Sequence, residues 1–524
     1  MKSLIGVAIL FMLLAIANAQ DTKTQVNNPW FTEGIKMLEE KLNYKPIKKA
    51  GNSVILFIGD GMSLTTVTAA RIYQGQRDGK SGEEGQLSWE HYPHTGLAKT
   101  YNIDYQVPDS AGTATAYLCG VKTNKGLVGV TEKAKRGNCP SAKGTDVYSI
   151  LTLAQKAGLS VGVVSTARIT HATPAVTYAH TPEREWEGSV PAEVASEGCI
   201  DVAQQYINYQ REHGGVNVML GGGRRYFMSE SQSDVEYSDL KGRRKDGKNL
   251  LDEWKKLNLP NSHYIWNTSA FNAVDPMKTD YLFGLFEYGH MQYEVNRNKG
   301  PGGEPSIAEM TRKAIQILRR NPKGYFLMVE AGRIDHGHHE GSAYRALVET
   351  VAMADAVDVA NKMTNPNETL VVVTADHGHT MSMGGYQKRG NPIFGLTDDL
   401  DIYGNKYLTL NYANGPGGWD ERKPRPRLTN EMTKDPHFLQ QAVAKLVKET
   451  HDGTDVAVYA KGPFAHLYAG VWEQSFVVQP MMKALCLDAS KPGQQHCKNS
   501  AGGIAPAAML TLVMALFVTF FQNF

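Results

Sequence analysis

The chain has 524 residues, and its 55 lysines and arginines nearly balance its 53 aspartates and glutamates, so the formal net charge is +2. This length favours one large α/β domain with insertions, or two domains. Because both charges are spread along the chain, it has no basic surface of the kind that binds nucleic acids, and we exclude these as partners. The most basic stretch, residues 241–248, also holds an aspartate and two glycines, and we interpret it as a solvated loop.

The first 19 residues have the pattern of a secretory signal peptide. Lys2 precedes an apolar run over residues 4–17, and Ala17-Asn18-Ala19 supplies the small residues at which signal peptidase cuts. We therefore expect cleavage after Ala19 and a mature chain that enters the secretory pathway. Just beyond, residues 29–42 predict an amphipathic helix that packs on its own domain or on a partner subunit.

Short apolar runs of strand-forming residues end abruptly in acids or histidines at four places in the chain. These runs cover residues 53–58, 161–164, 325–329 and 370–373, and they lead to Asp60, His171, Glu330 and Asp376, respectively. Continuous apolar runs suit strands buried on both faces of a mostly parallel sheet, with helices predicted at 310–320 and 344–362. We therefore predict an α/β fold with a large central, mostly parallel sheet flanked by helices. Ligands bind beyond the carboxyl ends of such strands, so we expect these polar side chains to meet in one crevice.

The segment from residue 383 to about residue 450 differs in composition from its surroundings. It is rich in Gly, Pro, Tyr and Arg, and we interpret it as a crown-like insertion on the crevice side of the sheet. The mature region has no internal repeat, which argues against a solenoid. We therefore assign residues 20–499 to one catalytic domain that carries this insertion.

Two clusters of acids and histidines have the spacing of metal ligands. Asp335 and His339 are four residues apart, which places both side chains on one face of a helix. Asp376 and His377 follow directly after a predicted strand. Closed structural zinc sites usually contain cysteine, so carboxylates and imidazoles in these positions favour a catalytic metal site.

Three further residues have two interpretations each. Ser110 precedes an alanine-rich stretch that can begin a helix, where it is either a simple N-cap or a nucleophile at an anion-binding helix end. Arg184 is either a surface charge or a bidentate phosphate ligand. His451 is either an ordinary surface histidine or a metal ligand.

Cysteines and sequons agree with secretion. Five cysteines in a secreted chain favour pairing and leave one unpaired. Plausible bridges join Cys139 to Cys199 and Cys486 to Cys497, and Cys119 is expected to be a buried, inert thiol. Two acceptor sequons predict glycosylation, at Asn267 and Asn367.

The C-terminus has the pattern of a glycosylphosphatidylinositol attachment signal. Residues 507–521 are apolar, the chain ends three residues later, and small residues at 499–503 precede them. The alternative is a transmembrane helix, which requires about 20 apolar residues and positive charges beyond them. We expect attachment at Asn499 or Ser500, removal of residues 500–524, and a protein anchored at the extracellular side of the plasma membrane.

Six segments of the chain occur in the order seen in animal alkaline phosphatases, and the long segment 329–339 is highly specific. The chain resembles this family from about Pro29 to Cys497, through residues 58–62, 107–110, 166–178, 329–339, 374–377 and 449–451. The resemblance implies hydrolysis of phosphate monoesters to an alcohol and inorganic phosphate through a phosphoserine intermediate. It also implies two zinc ions, one magnesium ion and, like the animal enzymes, a possible calcium ion.

The resemblance assigns a role to individual residues. Ser110 is the nucleophile and Arg184 binds the phosphate. Each zinc ion has three ligands, which are Asp335, His339 and His451 for one and Asp60, Asp376 and His377 for the other. The magnesium ligands are Asp60, Glu330 and Thr173. Three more histidines support the metals and the phosphate without binding a metal: His171, His336 and His379. The calcium ligands are Glu236, the backbone of Phe286, Glu287 and Glu304.

The resemblance also implies a homodimer, in which Tyr386 reaches toward the neighbouring subunit's site. The alternative for Tyr386 is a loop tyrosine that packs on its own domain. Two other functions are alternatives to a phosphatase. Sulfatases and phosphodiesterases of the same superfamily share the two-metal crevice, but Thr173 and Glu330 add the magnesium site of the monoesterases. A catalytically silent, lipid-anchored receptor would have lost ligands, and none is replaced here.

Overall fold

The computed structural model describes residues 24–419 and 427–495. The predicted signal peptide, the predicted anchor signal and Cys497 lie outside these residues. None of the helices formed by the described residues is long and apolar enough to span a membrane. The described residues divide into two compact units, one before and one from Lys48.

The first unit contains helix α1 (Pro29–Asn43), and none of its residues is buried. Asn28 caps the helix, because its side-chain oxygen accepts a hydrogen bond from the Trp30 amide at 3.0 Å. Pro29 follows in the first turn, where the missing N–H is not needed. The helix predicted over residues 29–42 is therefore present, while the surface it packs on stays a prediction.

The second unit is built on strands, and four of them contain the predicted apolar runs. In chain order the strands are β1 (Ser53–Gly59), β2 (His94–Lys99), β3 (Ser160–Arg168), β4 (Val218–Gly222), β5 (Ser262–Ile265), β6 (Tyr281–Leu285), β7 (Tyr325–Ala331), β8 (Thr369–Ala375), β9 (Gly378–His379), β10 (Met381–Met383), β11 (Leu396–Leu400), β12 (Lys406–Leu408), β13 (Leu410–Gly415), β14 (Ala442–Lys445), β15 (His451–Asp452), β16 (Val456–Lys461) and β17 (Gly470–Glu473).

Helices connect these strands. They are α2 (Leu64–Arg77), α3 (Ser110–Cys119), α4 (Cys139–Ala142), α5 (Ile150–Lys156), α6 (Ala172–Val176), α7 (Ala192–Ser196), α8 (Val202–His213), α9 (Leu250–Lys256), α10 (Thr268–Ala273), α11 (Ile307–Leu318), α12 (Arg333–His339), α13 (Ala343–Met363) and α14 (Val478–Ala484). The helices predicted at 310–320 and 344–362 correspond to α11 and α13.

Ten strands form one sheet in the order β17-β2-β16-β8-β1-β7-β3-β4-β6-β5. The seven strands from β8 to β5 in this order are parallel to one another, whereas β16 runs antiparallel to both β8 and β2. Every residue of β1, β7 and β8 is buried, as expected for strands covered by helices on both faces. The prediction of a large, mostly parallel sheet is confirmed.

The segment predicted as an insertion forms small sheets of its own. Strands β10, β13 and β14 make a three-stranded sheet, and β11 pairs with β12. These strands lie outside the ten-stranded sheet, and the single-domain boundaries assigned from the sequence stay a prediction.

A buried carboxyl group on α13 makes stability depend on pH. Glu349 is 3% exposed and accepts a hydrogen bond from the Glu294 amide. Burial raises its pKa from 4.5 to about 7. Between pH 4.5 and pH 7, Glu349 keeps a proton in the native state that it has lost in the unfolded state. Glu349 therefore makes the protein less stable as the pH rises through this range.

Glu349→Gln should therefore remove a penalty that is present only at neutral and alkaline pH. Relative to wild type, the variant should gain on the order of 2 kcal/mol near pH 8 and little near pH 5. Thermal unfolding at both pH values measures this difference. The control is Glu368→Gln, an exposed glutamate. An equal change in melting temperature at both pH values would contradict the prediction.

Candidate active site and metal centre

Three carboxylates come together where the central strands end. Asp60 follows β1, Glu330 is the next-to-last residue of β7, and Asp376 follows β8. Gly59 is in register with both Ala331 and Ala375, so the strand ends are level. All three carboxylates are completely buried. The crevice predicted at the carboxyl ends of the strands is therefore present.

One group of potential metal ligands surrounds Asp335 on α12. The predicted four-residue spacing brings His339 Nε2 to 3.4 Å from Asp335 Oδ1, and His451 Nε2 lies 3.2 Å from the same oxygen. Nδ1 of His339 lies 2.6 Å from the Glu449 carbonyl and Nδ1 of His451 lies 2.8 Å from the Pro108 carbonyl. A carbonyl only accepts, so Nδ1 carries the proton in both rings and Nε2 offers its lone pair. This arrangement is suited to binding a metal ion.

His379 lies beside this group but is already bonded at both nitrogens. Its Nε2 is 2.7 Å from Asp335 Oδ1, and its Nδ1 is 2.5 Å from Glu449 Oε2. Burial lowers the pKa of His379, but the two carboxylates outweigh burial and raise it to about 10. A charged ring with both nitrogens hydrogen-bonded orients Asp335 and has no lone pair for a metal; the supporting role of His379 stays a prediction.

A second group consists of Asp60, Asp376 and His377, whose ligand atoms lie within 4.8 Å of one another. His377 Nε2 is 3.1 Å from Asp376 Oδ2 and 3.6 Å from Asp60 Oδ1. The rings of His377 and His451 stack with their centroids 3.6 Å apart, so the second group adjoins the first. Ser110 Oγ lies 3.1 Å from His377 Nε2.

Ser110 is the first residue of α3 and not its cap. Asp109 is the N-cap, and its Oδ1 accepts from the Gly112 amide at 3.2 Å. The simple N-cap interpretation of Ser110 is therefore wrong, because the helix begins one residue earlier than that interpretation requires. Ser110 is 2% exposed, and its hydroxyl faces the active-site cavity.

A third group contains Asp60 and Glu330 again, together with His171. Burial raises the pKa of Glu330 to about 7, and a hydrogen bond with Thr173 opposes this increase. Thr173 lies on α6 and is completely buried. Thr173 is thus next to Glu330, as its predicted role requires. Oxygen ligands of this kind suit magnesium.

The carboxylates of these groups fit bound cations. Among the described residues, both carboxylate oxygens of Asp60 and Oε1 of Glu330 are buried and have no hydrogen-bond partner. Burial, together with repulsion from Asp376 and Asp335, raises the pKa of Asp60 well above its usual range. Buried anions without partners are strongly unfavourable, so this site has the charge and the free oxygens that divalent ions would satisfy.

Arg184 reaches the same cavity as Ser110. Its Nη1 donates to Asp109 Oδ2 at 2.9 Å, and its Nη2 lies 3.1 Å from His171 Nε2. The cavity has a volume of about 1120 Å³, and His336 also contributes to its wall. Arg184 is therefore held in place by the residue that caps the helix of Ser110.

The residues predicted to bind calcium lie together away from this cavity. Glu304 is buried, and burial with repulsion from Glu287 and Glu236 raises its pKa to about 9. Arg224 donates to Glu236 at 2.7 Å, and Tyr237 donates to Glu287 at 2.9 Å. Phe286, whose backbone is the fourth predicted ligand, directly precedes Glu287.

Two residues of the site were not predicted as members of it. Glu449 is buried, and besides His379 it accepts hydrogen bonds from the Thr380 amide and hydroxyl at 2.8 and 2.7 Å. His290 lies with its ring centroid 4.1 Å from that of His336. His290 could have been predicted from the sequence, because it follows the apolar strand β6 just as Asp60 follows β1 and Asp376 follows β8.

The cysteines and sequons can be placed in part. Cys139 and Cys199 form the predicted disulfide, with Cα atoms 5.9 Å apart. The second predicted bridge involves Cys497, outside the described residues. Cys119 is a free thiol that is half-buried, less than expected. Asn367 is exposed, whereas Asn267 is half-buried and caps α10; glycosylation at both stays a prediction.

The fold and the site are those of an α/β protein with clusters of acids and histidines at the ends of its central strands, which is the arrangement of a metal-dependent enzyme. A family model described as alkaline phosphatase matches residues 51–487. The chain belongs to the alkaline phosphatase family, and it is an enzyme of the phosphoric monoester hydrolase class, which confirms the resemblance.

Relatives of the chain include vertebrate enzymes. It is 47% identical over 488 residues to the human tissue-nonspecific isozyme of alkaline phosphatase, covering 91% of each chain. It is 44% identical over 480 residues to alkaline phosphatase of Gadus morhua, covering 90% of this chain and 99% of the relative.

Solved bacterial structures share the fold. Thermus thermophilus alkaline phosphatase has a TM-score of 0.60 at 22% identity, covering 85% of this chain and 94% of its own. Alkaline phosphatase of the Antarctic bacterium TAB5 has a TM-score of 0.58 at 23% identity, covering 83% and 99%. A variant of the TAB5 enzyme, with a TM-score of 0.59 at 22% identity over 84% and 99%, holds Mg in its M3 site.

Proposed function

We propose that the chain hydrolyses phosphate monoesters through a phosphoserine intermediate on Ser110, at a site for two zinc ions and one magnesium ion. The observation that carries the proposal is the position of Ser110 Oγ, 3.1 Å from His377 Nε2 and inside a cavity that Asp335, His339 and His451 also line. A serine at this point can contact a phosphate that the two neighbouring ligand groups also face.

The ligand groups supply a place for each ion. One zinc ion would be held by Asp335, His339 and His451, the other by Asp60, Asp376 and His377, and magnesium by Asp60, Glu330 and Thr173. When bound, these ions neutralise the phosphate dianion, make the serine hydroxyl and water more acidic, and stabilise the departing alcohol oxygen.

The chain's own residues hold the substrate and form the covalent bond. Arg184 presents a planar guanidinium that can donate two parallel hydrogen bonds to phosphate oxygens, and Asp109 fixes its orientation. Ser110 lies at the N-terminus of α3, where the helix dipole favours an anion. Ser110 Oγ attacks the phosphorus as the bond to the alcohol oxygen breaks, and water then attacks the phosphoserine and releases inorganic phosphate and the free serine.

Turnover of p-nitrophenyl phosphate by purified protein tests this proposal. We expect hydrolysis at alkaline pH that is lost after chelation and is restored by zinc together with magnesium, but only in part by either metal alone. The metals are added back to the same chelated sample. Circular dichroism of that sample shows whether the protein has unfolded irreversibly, which would also abolish turnover. A fully metallated, folded protein without turnover would instead support the silent receptor.

We also infer a calcium ion bound by Glu236, Glu287, Glu304 and the backbone of Phe286. In support, burial, together with repulsion from Glu287 and Glu236, raises the pKa of Glu304 to about 9, and its Oε1 is buried without a hydrogen-bond partner among the described residues. Calcium prefers oxygen ligands of this type. A melting temperature that does not change when calcium is added to the chelated protein would contradict this inference.

The homodimer is supported by the exposure of Tyr386. Its side chain is 95% exposed, so it does not pack on the described part of its own chain. Such a large exposed aromatic side chain fits a role at a partner subunit. A fully active protein with the mass of a monomer in light scattering would exclude this role.

Processing at the two ends remains part of the proposal. It comprises removal of residues 1–19, glycosylation at Asn267 and Asn367, and lipid attachment either at Asn499, with removal of residues 500–524, or at Ser500, with removal of the residues after it. The mature protein would then sit on the outer leaflet of the plasma membrane. Activity that phosphatidylinositol-specific phospholipase does not release from intact cells would contradict the anchor.

A further inference from the structure

Glu449 lies where the inserted segment returns to the first ligand group, which is Asp335, His339 and His451. It is 1% exposed and precedes His451 by two residues. Its backbone contacts His339 twice. The Glu449 amide donates to the His339 carbonyl at 3.0 Å, and the Glu449 carbonyl accepts from His339 Nδ1 at 2.6 Å. Glu449 therefore holds the end of α12 and fixes one ring of the ligand group directly.

The carboxylate of Glu449 accepts hydrogen bonds at both oxygens. Oε2 accepts from His379 Nδ1 at 2.5 Å, and Oε1 accepts from the amide and the hydroxyl of Thr380 at 2.8 and 2.7 Å. Among the described residues, Glu449 is not part of the cluster of possible ligand atoms around Asp335. The carboxylate is therefore placed to hold other side chains and not to bind an ion itself.

His379 connects this carboxylate to Asp335. A carboxylate only accepts, so the ring donates from both nitrogens, from Nδ1 to Glu449 and from Nε2 to Asp335 Oδ1 at 2.7 Å. Oδ1 is also the oxygen nearest to His339 and His451. Because Glu449 fixes the rotation of the His379 ring, it also fixes the point from which Nε2 reaches Asp335.

Packing around His379 does not determine which way its ring is turned. The ring is completely buried and stacks on the His338 ring, with centroids 4.8 Å apart and planes 25° apart. A half-turn about the Cβ–Cγ bond keeps the ring plane and the stacking, but it exchanges Nδ1 and Nε2 with carbon atoms. The hydrogen bonds to Glu449 and Asp335 select the observed orientation, so loss of the first weakens the selection.

The chain beside Glu449 is fixed by the inserted segment. Asn414, on β13, and Thr450 exchange two hydrogen bonds of 3.0 Å, one from Asn414 Nδ2 to Thr450 Oγ1 and one from the Thr450 amide to Asn414 Oδ1. β13 belongs to the three-stranded sheet of that segment. The position of Glu449 therefore depends on the folded inserted segment.

We propose that Glu449 is a positioning residue for zinc, which holds the first ligand group in place through His379 and through its backbone contact with His339. The proposal rests on the proposed function, in which the first ligand group binds a zinc ion, and it adds a residue that does not touch that ion. The alternative is that Glu449 only fastens the inserted segment to Thr380. The two roles differ in their effect on zinc affinity.

Zinc uptake by the Glu449→Gln variant tests the positioning role. The amide oxygen can still accept from Thr380, but the amide nitrogen cannot accept from His379 Nδ1. Elemental analysis across free zinc concentrations set by a chelating buffer should find two zinc ions in wild type. For one of the two, the variant should need about 10- to 100-fold more free zinc, the usual effect of losing a residue behind the metal ligands. The other ion should bind as in wild type.

A double-variant cycle shows whether Glu449 acts through His379. His379→Gln alone should weaken the same zinc ion. Adding Glu449→Gln should then change the affinity by no more than about twofold, because the contact is already lost. Additive effects of the two substitutions would overturn the route through His379. Glu449→Asp, which keeps the carboxylate but shortens its reach, is the substitute if Glu449→Gln does not fold, and weaker binding of the same ion is expected.

Two further variants separate positioning from fastening. Thr380→Val removes the hydroxyl that donates to Glu449 Oε1 and leaves the contact with His379, so it should lower the melting temperature without changing zinc affinity. Glu431→Gln, at an exposed glutamate of the inserted segment, should change neither. The proposal is overturned if Thr380→Val weakens zinc binding as much as Glu449→Gln does, or if folded Glu449→Gln binds both zinc ions as wild type does.

Zinc uptake is measured without substrate, so its result is independent of turnover. A wild-type protein that binds two zinc ions but hydrolyses no phosphate monoester would reject the proposed function, and weaker binding of one ion by Glu449→Gln would still support the positioning role. Normal hydrolysis by wild type, with unchanged zinc uptake by Glu449→Gln, would overturn the positioning role alone.

Discussion

Ser110→Ala is expected to lower kcat/KM for p-nitrophenyl phosphate by about 10³-fold or more, because the reaction then has no group that can form the covalent intermediate. The substitution should not disturb folding, since Asp109 and not Ser110 caps α3. Alanine is also a favourable helix residue. Acid quenching of wild type during turnover, followed by peptide mass spectrometry, should find the phosphoryl group on Ser110.

The matched control is Ser382→Ala, which removes an exposed hydroxyl from β10 and should retain wild-type turnover. Metal content and melting temperature of the Ser110 variant must equal those of wild type for the comparison to hold. Turnover by Ser110→Ala within tenfold of wild type, or a phosphoryl group trapped on another residue, would refute the phosphoserine proposal.

Asp60→Asn is expected to have opposite effects on the stability of the metal-free and the metal-loaded protein. Asp60 belongs to two ligand groups, one with Asp376 and His377 and one with His171 and Glu330. In chelator, the variant should unfold at a temperature equal to or above that of wild type, because repulsion among buried carboxylates is reduced. With zinc and magnesium, wild type should gain more stability than the variant, since ligand binding stabilises the native state.

Turnover of the Asp60→Asn variant should fall by about 10³-fold, because an amide cannot neutralise or bridge two cations as a carboxylate does. Differential scanning fluorimetry with and without metals measures the stability effect, and elemental analysis counts the ions retained. Asp239→Asn, at an exposed turn residue, serves as the control. If the variant and wild type are stabilised equally by the metals, Asp60 is not a shared ligand.

The central sheet and the grouping of Asp335 with His339 could be predicted because their signals are local. A strand buried on both faces needs a continuous apolar run, and β1, β7 and β8 have one. The helical spacing of Asp335 and His339 likewise fixes their common face before any tertiary contact forms. The antiparallel direction of β16 has no such signal, because its residues read as a buried strand in either direction.

The parts of the site that were missed depend on tertiary contacts. Glu449 becomes part of the site only because the pairing of β15 with β9 brings it beside His379. His290 acquires its partners from α12 and β3, which are distant in sequence. The boundary of α3 was missed for another reason: aspartate and serine are both good N-cap residues, and nothing in the sequence chooses between Asp109 and Ser110.

Asp109 also has a consequence for how precisely the reacting groups are held. Its Oδ1 accepts from the amides of Gly112 and Gly126, and its Oδ2 accepts from Arg184. The first residue of α3, Ser110, and the guanidinium of Arg184 are therefore both positioned by one carboxylate. When thermal motion shifts that carboxylate, both groups shift with it, so the separation between them fluctuates less than the position of either one.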